Sequence, residues 1–366
     1  MKTYRKTDRK RSRIIWRIIS GVFLAGLITL AVIISRSPTR LRSLDHRITP
    51  MSFSADSFLP YRGGAVYTTD EGYLYHINTK GKLDWGFKQL DENILLQPGP
   101  EYLCAYGGNK LQVISHYGAL VLTKLFDGEI LSVRSSSKYI SATYMSADGT
   151  VVLDVLSSTG QHLESITFLS SQKLMDFGFS EAGDQLWVLS IEEAAMPVYH
   201  VEIHRFDPSH TLNASLTIDT EAIYSVIINK DGVFLTGTKS VRKYNSVNQL
   251  VEQIPIFGKQ LLCASGSSKV ATHIISTVDP PYSLLKVLQN GKEKANIVLS
   301  PSSTSVVYAN NNIYSICGNK MYRYSITGKK TATYRLPHFV DDVVVLPDEG
   351  FVFLISGNSV SLLKLP

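Results

Sequence analysis

The stretch Tyr73-Leu-Tyr-His-Ile-Asn-Thr-Lys-Gly-Lys82 decides the fold, because it is the first clear copy of a repeat that continues to residue 366. Each copy has a strand of alternating apolar residues, a tight turn and a second short strand. The turns fall near the following residues, at spacings of 37 to 50: Gly81, Gly118, Gly160, His210, Asn248, Gly291 and Gly328. A period of this length, with about four short strands in each unit, is typical of a β-propeller.

The number of units follows from the same repeat. We count eight units from about residue 55, so the sequence predicts an all-β, eight-bladed β-propeller. Seven blades stay open as an alternative, because units four and five are degenerate. The eighth unit, 340–366, has only three strands, which leaves an open sheet edge. We expect residues 47–54 to supply the missing outer strand and close the ring.

The N-terminal segment differs from the rest of the chain in charge and hydropathy. Residues 1–50 hold 12 Lys or Arg and 2 Asp or Glu, whereas the remainder holds 25 and 29. The basic balance therefore gives no indication that the propeller binds nucleic acid. The apolar run at 14–34 is long enough for a transmembrane helix, and more cations precede it than follow it.

From this pattern we expect a single-pass protein of the cell membrane with its N-terminus in the cytoplasm. The predicted segments are a basic cytoplasmic tail at 1–13, a transmembrane signal anchor at 14–34, a linker at 35–46 and an extracytoplasmic propeller at 47–366. A cleaved signal peptide is the alternative, but no good small-x-small cleavage site follows the apolar run.

The unit from Asp70 to Trp85 resembles the PQQ-like (quinoprotein-type) propeller repeat, in which a turn, a strand, a Gly-Lys turn and a tryptophan follow in this order. The resemblance implies that Trp85 docks on the neighbouring blade. With its N-terminal segment, the chain is similar to an uncharacterised family of membrane-anchored PQQ-like or WD40-like propellers from Gram-positive (clostridial-type) bacteria. The eight-bladed outer-membrane assembly lipoprotein is a more distant likeness. These resemblances imply a fold and a location, and no activity.

Cofactor chemistry has little support in the sequence. A quinoprotein dehydrogenase needs a PQQ pocket, a Ca²⁺ site and usually a pair of adjacent cysteines, and we can assign none of these. The three cysteines, Cys104, Cys263 and Cys317, are scattered, and we interpret them as small buried hydrophobic residues. The sequence therefore predicts no cofactor.

Polar constellations are also few. His200, Glu202 and His204 alternate along one predicted strand, so they share a face on which metal ligands would lie. A solvated strand face is the alternative, and with no fourth ligand identifiable we assign no metal site. The adjacent pairs Glu192-Glu193 and Asp341-Asp342 point apart in an extended chain, so we interpret them as loop charges and polar channel lining.

Two long connections between second and third strands are the better functional candidates. They span 191–199 in unit four and 276–283 in unit six, and such connections emerge on one face of a propeller, often the binding face. Ordinary variation in loop length is the alternative. The anchors that these loops would offer to a partner are Met196, Pro197, Tyr199, Pro281 and Tyr282.

These observations favour a non-enzymatic, membrane-tethered scaffold that binds an envelope protein or a cell-wall polymer. Two alternatives stay open: an extracytoplasmic sensor of a small ligand, and a hydrolase or lyase with its site at the channel mouth. Carboxylates with perturbed pKa values around the channel would favour the enzyme. No catalytic residue and no nucleic-acid partner is predicted.

Overall fold

The computed structural model describes residues 24–29, 40–69, 71–88, 94–206, 211–266, 270–346 and 350–366. Apart from helical residues at 24–29 and a short 3-10 helix at Asp45–Arg47, the regular structure in these ranges is β-strand. None of the helical residues in these ranges forms a helix of the length and apolarity needed to cross a membrane. Most of the predicted anchor at 14–34 lies outside the described residues.

The strands form eight separate sheets, and each sheet contains one four-stranded antiparallel meander. In chain order the strands are β1 (Leu41–Ser43) and β2 (Ile48–Ser54); blade 1, β3 (Phe58–Tyr61), β4 (Gly64–Thr68), β5 (Tyr73–Asn78) and β6 (Leu83–Lys88); blade 2, β7 (Leu95–Pro98), β8 (Tyr102–Gly107), β9 (Lys110–Ser115) and β10 (Leu120–Leu125); blade 3, β11 (Gly128–Ser135), β12 (Tyr139–Ser146), β13 (Val151–Ser157) and β14 (His162–Phe168); and blade 4, β15 (Gln172–Phe179), β16 (Gln185–Glu192), β17 (Val198–Arg205) and β18 (Thr211–Ile218).

The second half of the ring repeats this pattern. Its strands are blade 5, β19 (Ile223–Asn229), β20 (Gly232–Gly237), β21 (Ser240–Tyr244) and β22 (Leu250–Pro255); blade 6, β23 (Gln260–Gly266), β24 (Ala271–Ser276), β25 (Tyr282–Gln289) and β26 (Lys292–Ser303); blade 7, β27 (Ser305–Ala309), β28 (Asn312–Cys317), β29 (Lys320–Ser325) and β30 (Lys330–Arg335); and blade 8, β31 (Asp342–Val345), β32 (Phe351–Ser356) and β33 (Ser359–Lys364). We letter the four strands of each blade A to D. The A strands of neighbouring blades contact each other, so they form the inner ring.

The ring is closed by a strand from the N-terminal side of the repeat. β2 lies antiparallel to β33, with Ile48 opposite Leu363 and Ser54 opposite Ser359, and it completes blade 8 as its D strand. The fold is therefore an all-β, eight-bladed propeller, as predicted, and the seven-bladed alternative is excluded. Closure removes the open edge that the three C-terminal strands would otherwise present.

The structure differs from the sequence-based expectation just before this closing strand. Residues 40–46 fall within the predicted linker, yet β1 adds to blade 7 as a fifth strand, parallel to β30. Leu44 is only 2% exposed and packs among Tyr314 and Leu363 between blades 7 and 8. The Arg47 guanidinium donates to the Leu365 carbonyl at 3.2 Å. This segment is part of the propeller wall because it buries apolar surface there.

The core consists of eight apolar clusters, one at each interface between neighbouring blades. Both faces of every sheet are therefore covered, which explains the near-continuous apolar runs in many B and C strands. Cys104 is fully buried, Cys263 and Cys317 are half-buried, and all three are free thiols.

Trp85 is in contact with the next blade. Its indole N–H donates to the His116 carbonyl of blade 2 at 3.0 Å, and its ring stacks on His76 with centroids 5.3 Å apart. The ring also covers Gly118, which has a φ of +80° and where a Cβ atom would lie 2.7 Å from the indole. Glycine is required there by both the backbone conformation and the close approach.

Candidate interaction surface

The meander topology gives the propeller two faces. Because successive turns of an antiparallel meander alternate between ends, the B–C turns and the D-to-A connections emerge together, and the A–B and C–D turns emerge opposite. We call these the BC face and the AB face. The predicted loops of blades 4 and 6 are both B–C turns, at residues 193–197 and 277–281, so they share the BC face.

The five predicted anchor residues divide into two groups. Met196, Pro197 and Pro281 are exposed in the two turns, and Met196 is 71% exposed. Tyr199 and Tyr282 are half-buried near the starts of β17 and β25, where they pack against the apolar clusters of their blades. The turns therefore present the first group to solvent, whereas the two tyrosines support the turns from below.

Both turns are held by contacts to their neighbours. Glu193 forms an ion pair with Lys173, and the backbone N–H of Glu193 donates to the Ser171 carbonyl at 2.9 Å. In blade 6, the Gln260 side chain donates to the Val278 carbonyl, and the Ser276 hydroxyl donates to the Leu284 carbonyl at 2.6 Å. These contacts give each turn a defined shape.

The A strands of blades 3 to 6 each carry a β-bulge near the BC face, a feature that the sequence reasoning missed. In each case one residue is skipped in the pairing with the B strand, and these residues are Leu131, Met175, Tyr224 and Leu262. A bulge re-aims the side chain that it carries. Leu131, Met175 and Tyr224 are 43%, 53% and 44% exposed, which is high for apolar and aromatic residues of inner strands.

The four remaining A strands lack this feature. Those of blades 7, 8, 1 and 2 pair with their B strands without a register shift, and each is shorter than the bulged strands. We call blades 3 to 6 the bulged half and the other four the straight half. Further exposed apolar residues on the BC face of the bulged half are Met145, Leu169, Met196, Phe257 and Val278.

A cavity of about 670 Å³ opens on the BC face between blades 3 and 4. Leu131, Leu169 and Met175 line it, together with the turn at 148–150. Arg134 also lines the cavity, and its guanidinium lies 3.1 Å from the Gln97 side-chain oxygen and 3.6 Å from Asp176. The bulges therefore border an open space and do not fill it.

A second cavity, of about 480 Å³, lies between blades 4 and 5 on the AB face. Its lining includes the carboxamides of Asn213, Asn229 and Asn248 beside Lys230 and Asp184, together with apolar residues such as Ile203 and Ile228. Two of these groups form hydrogen bonds within their own turns. Asn229 accepts from the Asp231 N–H at 2.8 Å, and Asp184 accepts from the Ser180 hydroxyl at 2.9 Å.

A buried carboxylate stiffens the BC face at blade 5. Glu221 accepts hydrogen bonds from the backbone N–H groups of Lys239 and Ser240 at 2.7 and 2.8 Å, and it pairs with Arg242 at 2.9 Å. Burial alone raises the pKa of Glu221, but the hydrogen bonds from Ser240 and Lys239 and the charge of Arg242 outweigh it and lower the pKa. The D-to-A connection is thereby tied to the B–C turn.

The His-Glu-His strand does not assemble a common site. His200 lies 3.3 Å from Glu192, and His204 is buried and lies 3.3 Å from Glu202. The hydrogen bond with His204 lowers the pKa of Glu202. In the part of the chain that the structure describes, no group of three His, Cys, Asp or Glu side chains is arranged to hold a metal ion.

The two acidic pairs are also separated by their contacts. Glu192 faces His200 while Glu193 faces Lys173. Asp341 accepts from the Gly357 N–H and Asp342 from the Val343 N–H, both at 2.7 Å. Among the described carboxyl groups with a resolved shift, every pKa is lowered. These pairs do not form convergent carboxylates of the kind that acid–base catalysis needs.

Comparisons with known proteins establish the fold alone. No family model and no curated protein matches the sequence. The chain is similar to the solved WD40 domain of SCAP from fission yeast (TM-score 0.55, 11% identity, 87% of this chain and 94% of that chain covered). It is also similar to the C-terminal WD40 domain of Sif2 (0.53, 10%, 90% and 97%) and to BamB from Moraxella catarrhalis (0.52, 10%, 86% and 99%). The fold of this chain is thus a β-propeller similar to those of WD40 domains and BamB.

Proposed function

We propose that this protein is a non-enzymatic scaffold that binds another protein through the BC face of its bulged half. The single observation that carries the proposal is the run of four bulges near the BC face in neighbouring inner strands, three of which carry exposed side chains: Leu131, Met175 and Tyr224. Exposed apolar groups on a soluble surface mark binding sites when they cluster. The β-propeller fold is typical of protein-interaction scaffolds, which supports this assignment.

The proposal includes a location. The apolar run at 14–34 and the seven preceding cations support a single-pass anchor with the N-terminus in the cytoplasm. The propeller then lies on the outer side of the membrane of a Gram-positive bacterium, where its partner is an envelope protein. A cell-wall polymer is the less favoured partner, because the exposed groups at the bulges are mainly apolar.

The test is crosslinked co-purification of the full-length chain from native membranes. The variant replaces residues 193–197 and 277–281 with Gly-Asn turns, the dipeptide at the B–C turns of blades 7 and 8 (Gly318-Asn319 and Gly357-Asn358). We expect a stoichiometric protein partner with the native chain and its loss in the variant.

The matched control carries Tyr117→Ser and Val247→Ser, which remove exposed apolar groups from C–D turns on the AB face. This control should keep the partner. Capture that persists in the loop variant, or that is lost equally in the control, would contradict the proposal.

A further inference from the structure

The cavity between blades 3 and 4 is lined by side chains that suit one class of binding partner, and we call this cavity the seat. We infer that the partner presents a cationic segment, rich in Lys or Arg, and that this segment places a large apolar side chain in the cavity. The inference rests on the proposed function and specifies the chemistry of its partner. The observations that carry it are the apolar side chains lining the cavity and the charges around it.

The apolar part of the seat comes from residues that the fold does not use for its own core. Leu131 and Met175 are bulge residues, and Leu169 lies on the connection between blades 3 and 4 with 69% of its surface exposed. Methionine side chains adapt to the shape of the group that packs on them. An apolar anchor in a cavity of about 670 Å³ would cover these side chains and gain the free energy of their burial.

The cations at this cavity already have partners. Arg134 faces Asp176, and Lys173 is paired with Glu193. Asp127 and Glu129 do not line the cavity, but they shortly precede Leu131 along the chain; their carboxylates are exposed, and neither forms an ion pair within the described chain. Asp148 accepts only from Ser146 and Thr150, which are neutral. The rim therefore has a surplus of negative charge, which complements Lys or Arg side chains of a partner.

The distribution of charge between the two faces of the ring also favours binding of a cationic segment at the BC face. Exposed acidic residues on BC-face turns and connections are Asp56, Glu71, Asp127, Asp148, Glu193, Asp219 and Asp279, against the cations Lys239 and Lys259. The AB-face turns carry the exposed cations Arg62, Lys80, Lys82, Lys138, Lys230 and Lys329, against the exposed acidic residues Glu181 and Asp231. The BC face therefore attracts a cationic segment more strongly than the AB face does, which steers its approach.

The test uses the full chain in a non-ionic detergent and two synthetic amphipathic helical peptides. Both peptides carry Leu and Phe at the same positions; one has Lys and the other has Glu at the polar positions. Fluorescence anisotropy should show binding of the Lys peptide at least about tenfold tighter than that of the Glu peptide. Raising the salt concentration should weaken the binding, because the rim charges are exposed to solvent.

Two double variants separate the apolar and charged parts of the seat. Leu169→Ser with Met175→Ser should weaken binding of the Lys peptide by about tenfold or more. Asp127→Lys with Glu129→Lys should remove the preference for the Lys peptide. Tyr117→Ser on the AB face serves as the control and should leave the affinity within about twofold of the native chain.

Equal binding of both peptides, or full affinity in the cavity variant, would overturn the inference. So would a second copy of this chain occupying the cavity, seen as dimerisation that Leu169→Ser with Met175→Ser abolishes. Failure of the Lys peptide to bind while the native partner is still captured would overturn this inference and leave the proposed function intact. Loss of native capture in the AB-face control would instead count against the proposed function.

Discussion

The two halves of the ring have the same topology, but their inner strands differ in length and in how they pair with the second strand of each blade. In the straight half the inner strands are short and pair without interruption, as in Ser305–Ala309 and Asp342–Val345. In the bulged half they extend to Gly128–Ser135 and Gln172–Phe179, and each bulge turns one apolar residue away from the pairing. The straight half also exposes Leu95 (58%) and Phe339 (70%), so the two halves differ in a narrower way. The bulged half has longer, interrupted inner strands, and three of its four bulge residues are exposed, a feature that the short inner strands of the straight half lack.

The largest expected effect is on the free energy of unfolding, through a buried ion pair in the bulged half. Glu221 is 1% exposed and its partner Arg242 is 11% exposed, so Glu221→Ala leaves a buried cation without its carboxylate. We expect a loss of about 3–5 kcal/mol in the free energy of unfolding, measured by urea denaturation. Glu101→Ala in the straight half removes an exposed pair with Arg62 and should cost less than about 1 kcal/mol.

The same carboxylate makes a prediction about pH. Because the pKa of folded Glu221 is lowered, its stabilising contribution is present above its ordinary pKa of 4.5 and is lost as the pH falls through the folded value. Glu221→Gln should therefore flatten the acid side of the stability profile. A profile that is unchanged below pH 4.5 would show that folding does not lower the pKa of Glu221.

The second effect concerns His273, which is fully buried in blade 6, and neither of its ring nitrogens is hydrogen-bonded to a residue that the structure describes. Burial lowers its pKa from 6.5 to about 4, so the unfolded chain takes up a proton first as the pH falls. Stability should fall by at most about 1.4 kcal/mol for each pH unit between these two values. His273→Leu should remove this slope in urea denaturation, and an equally steep slope in that variant would contradict the assignment.

The third prediction compares the stability lost on substituting two glycines that have nearly the same φ, Gly118 and Gly149. Gly118 in the straight half lies under Trp85, whereas a Cβ atom added at Gly149 in the bulged half would meet open space, with no neighbouring side chain or strand within 4 Å. Both alanine variants should lose about 1 kcal/mol from the left-handed backbone conformation. Gly118→Ala should lose at least about 1 kcal/mol more, because the indole must move. Equal losses in urea denaturation would mean that Trp85 does not pack tightly between blades 1 and 2.

The smallest effect on stability is expected where the effect on binding is greatest. Met175→Ser and Met196→Ser remove side chains that are already 53% and 71% exposed, so each should change the free energy of unfolding by less than about 0.5 kcal/mol. Thermal denaturation checks this directly. A loss above about 2 kcal/mol would show that these residues belong to the core, and the account of a surface reserved for binding would fail.

Sequence reasoning reached the blade count because the Gly and Asn turns mark each unit independently of how its strands pack. It could not place β1, because only Leu41 and Leu44 are apolar in that arginine-containing stretch and its partner β30 is far along the chain. Packing between blades 7 and 8 orders this segment, and no local pattern encodes that contact.

The sequence pattern at the bulges is too common to predict where a bulge occurs. Each skipped residue is the second of two adjacent apolar residues, as in Ile130-Leu131 and Leu174-Met175. The unbulged strand β31 contains a similar run, Val343-Val344-Val345, so adjacency alone does not predict a bulge. The predicted loops were found through their length, but whether Tyr199 and Tyr282 are exposed depends on the clusters beneath them.

The most direct test of the difference between the halves is hydrogen–deuterium exchange of the full chain with and without the Lys peptide. The account predicts slowed exchange at 128–135, 147–150 and 169–176 in the bulged half, and no change in the straight half or at the AB-face turns. Protection confined to the straight half, or spread evenly around the ring, would contradict the claim that the bulged inner strands form the binding surface.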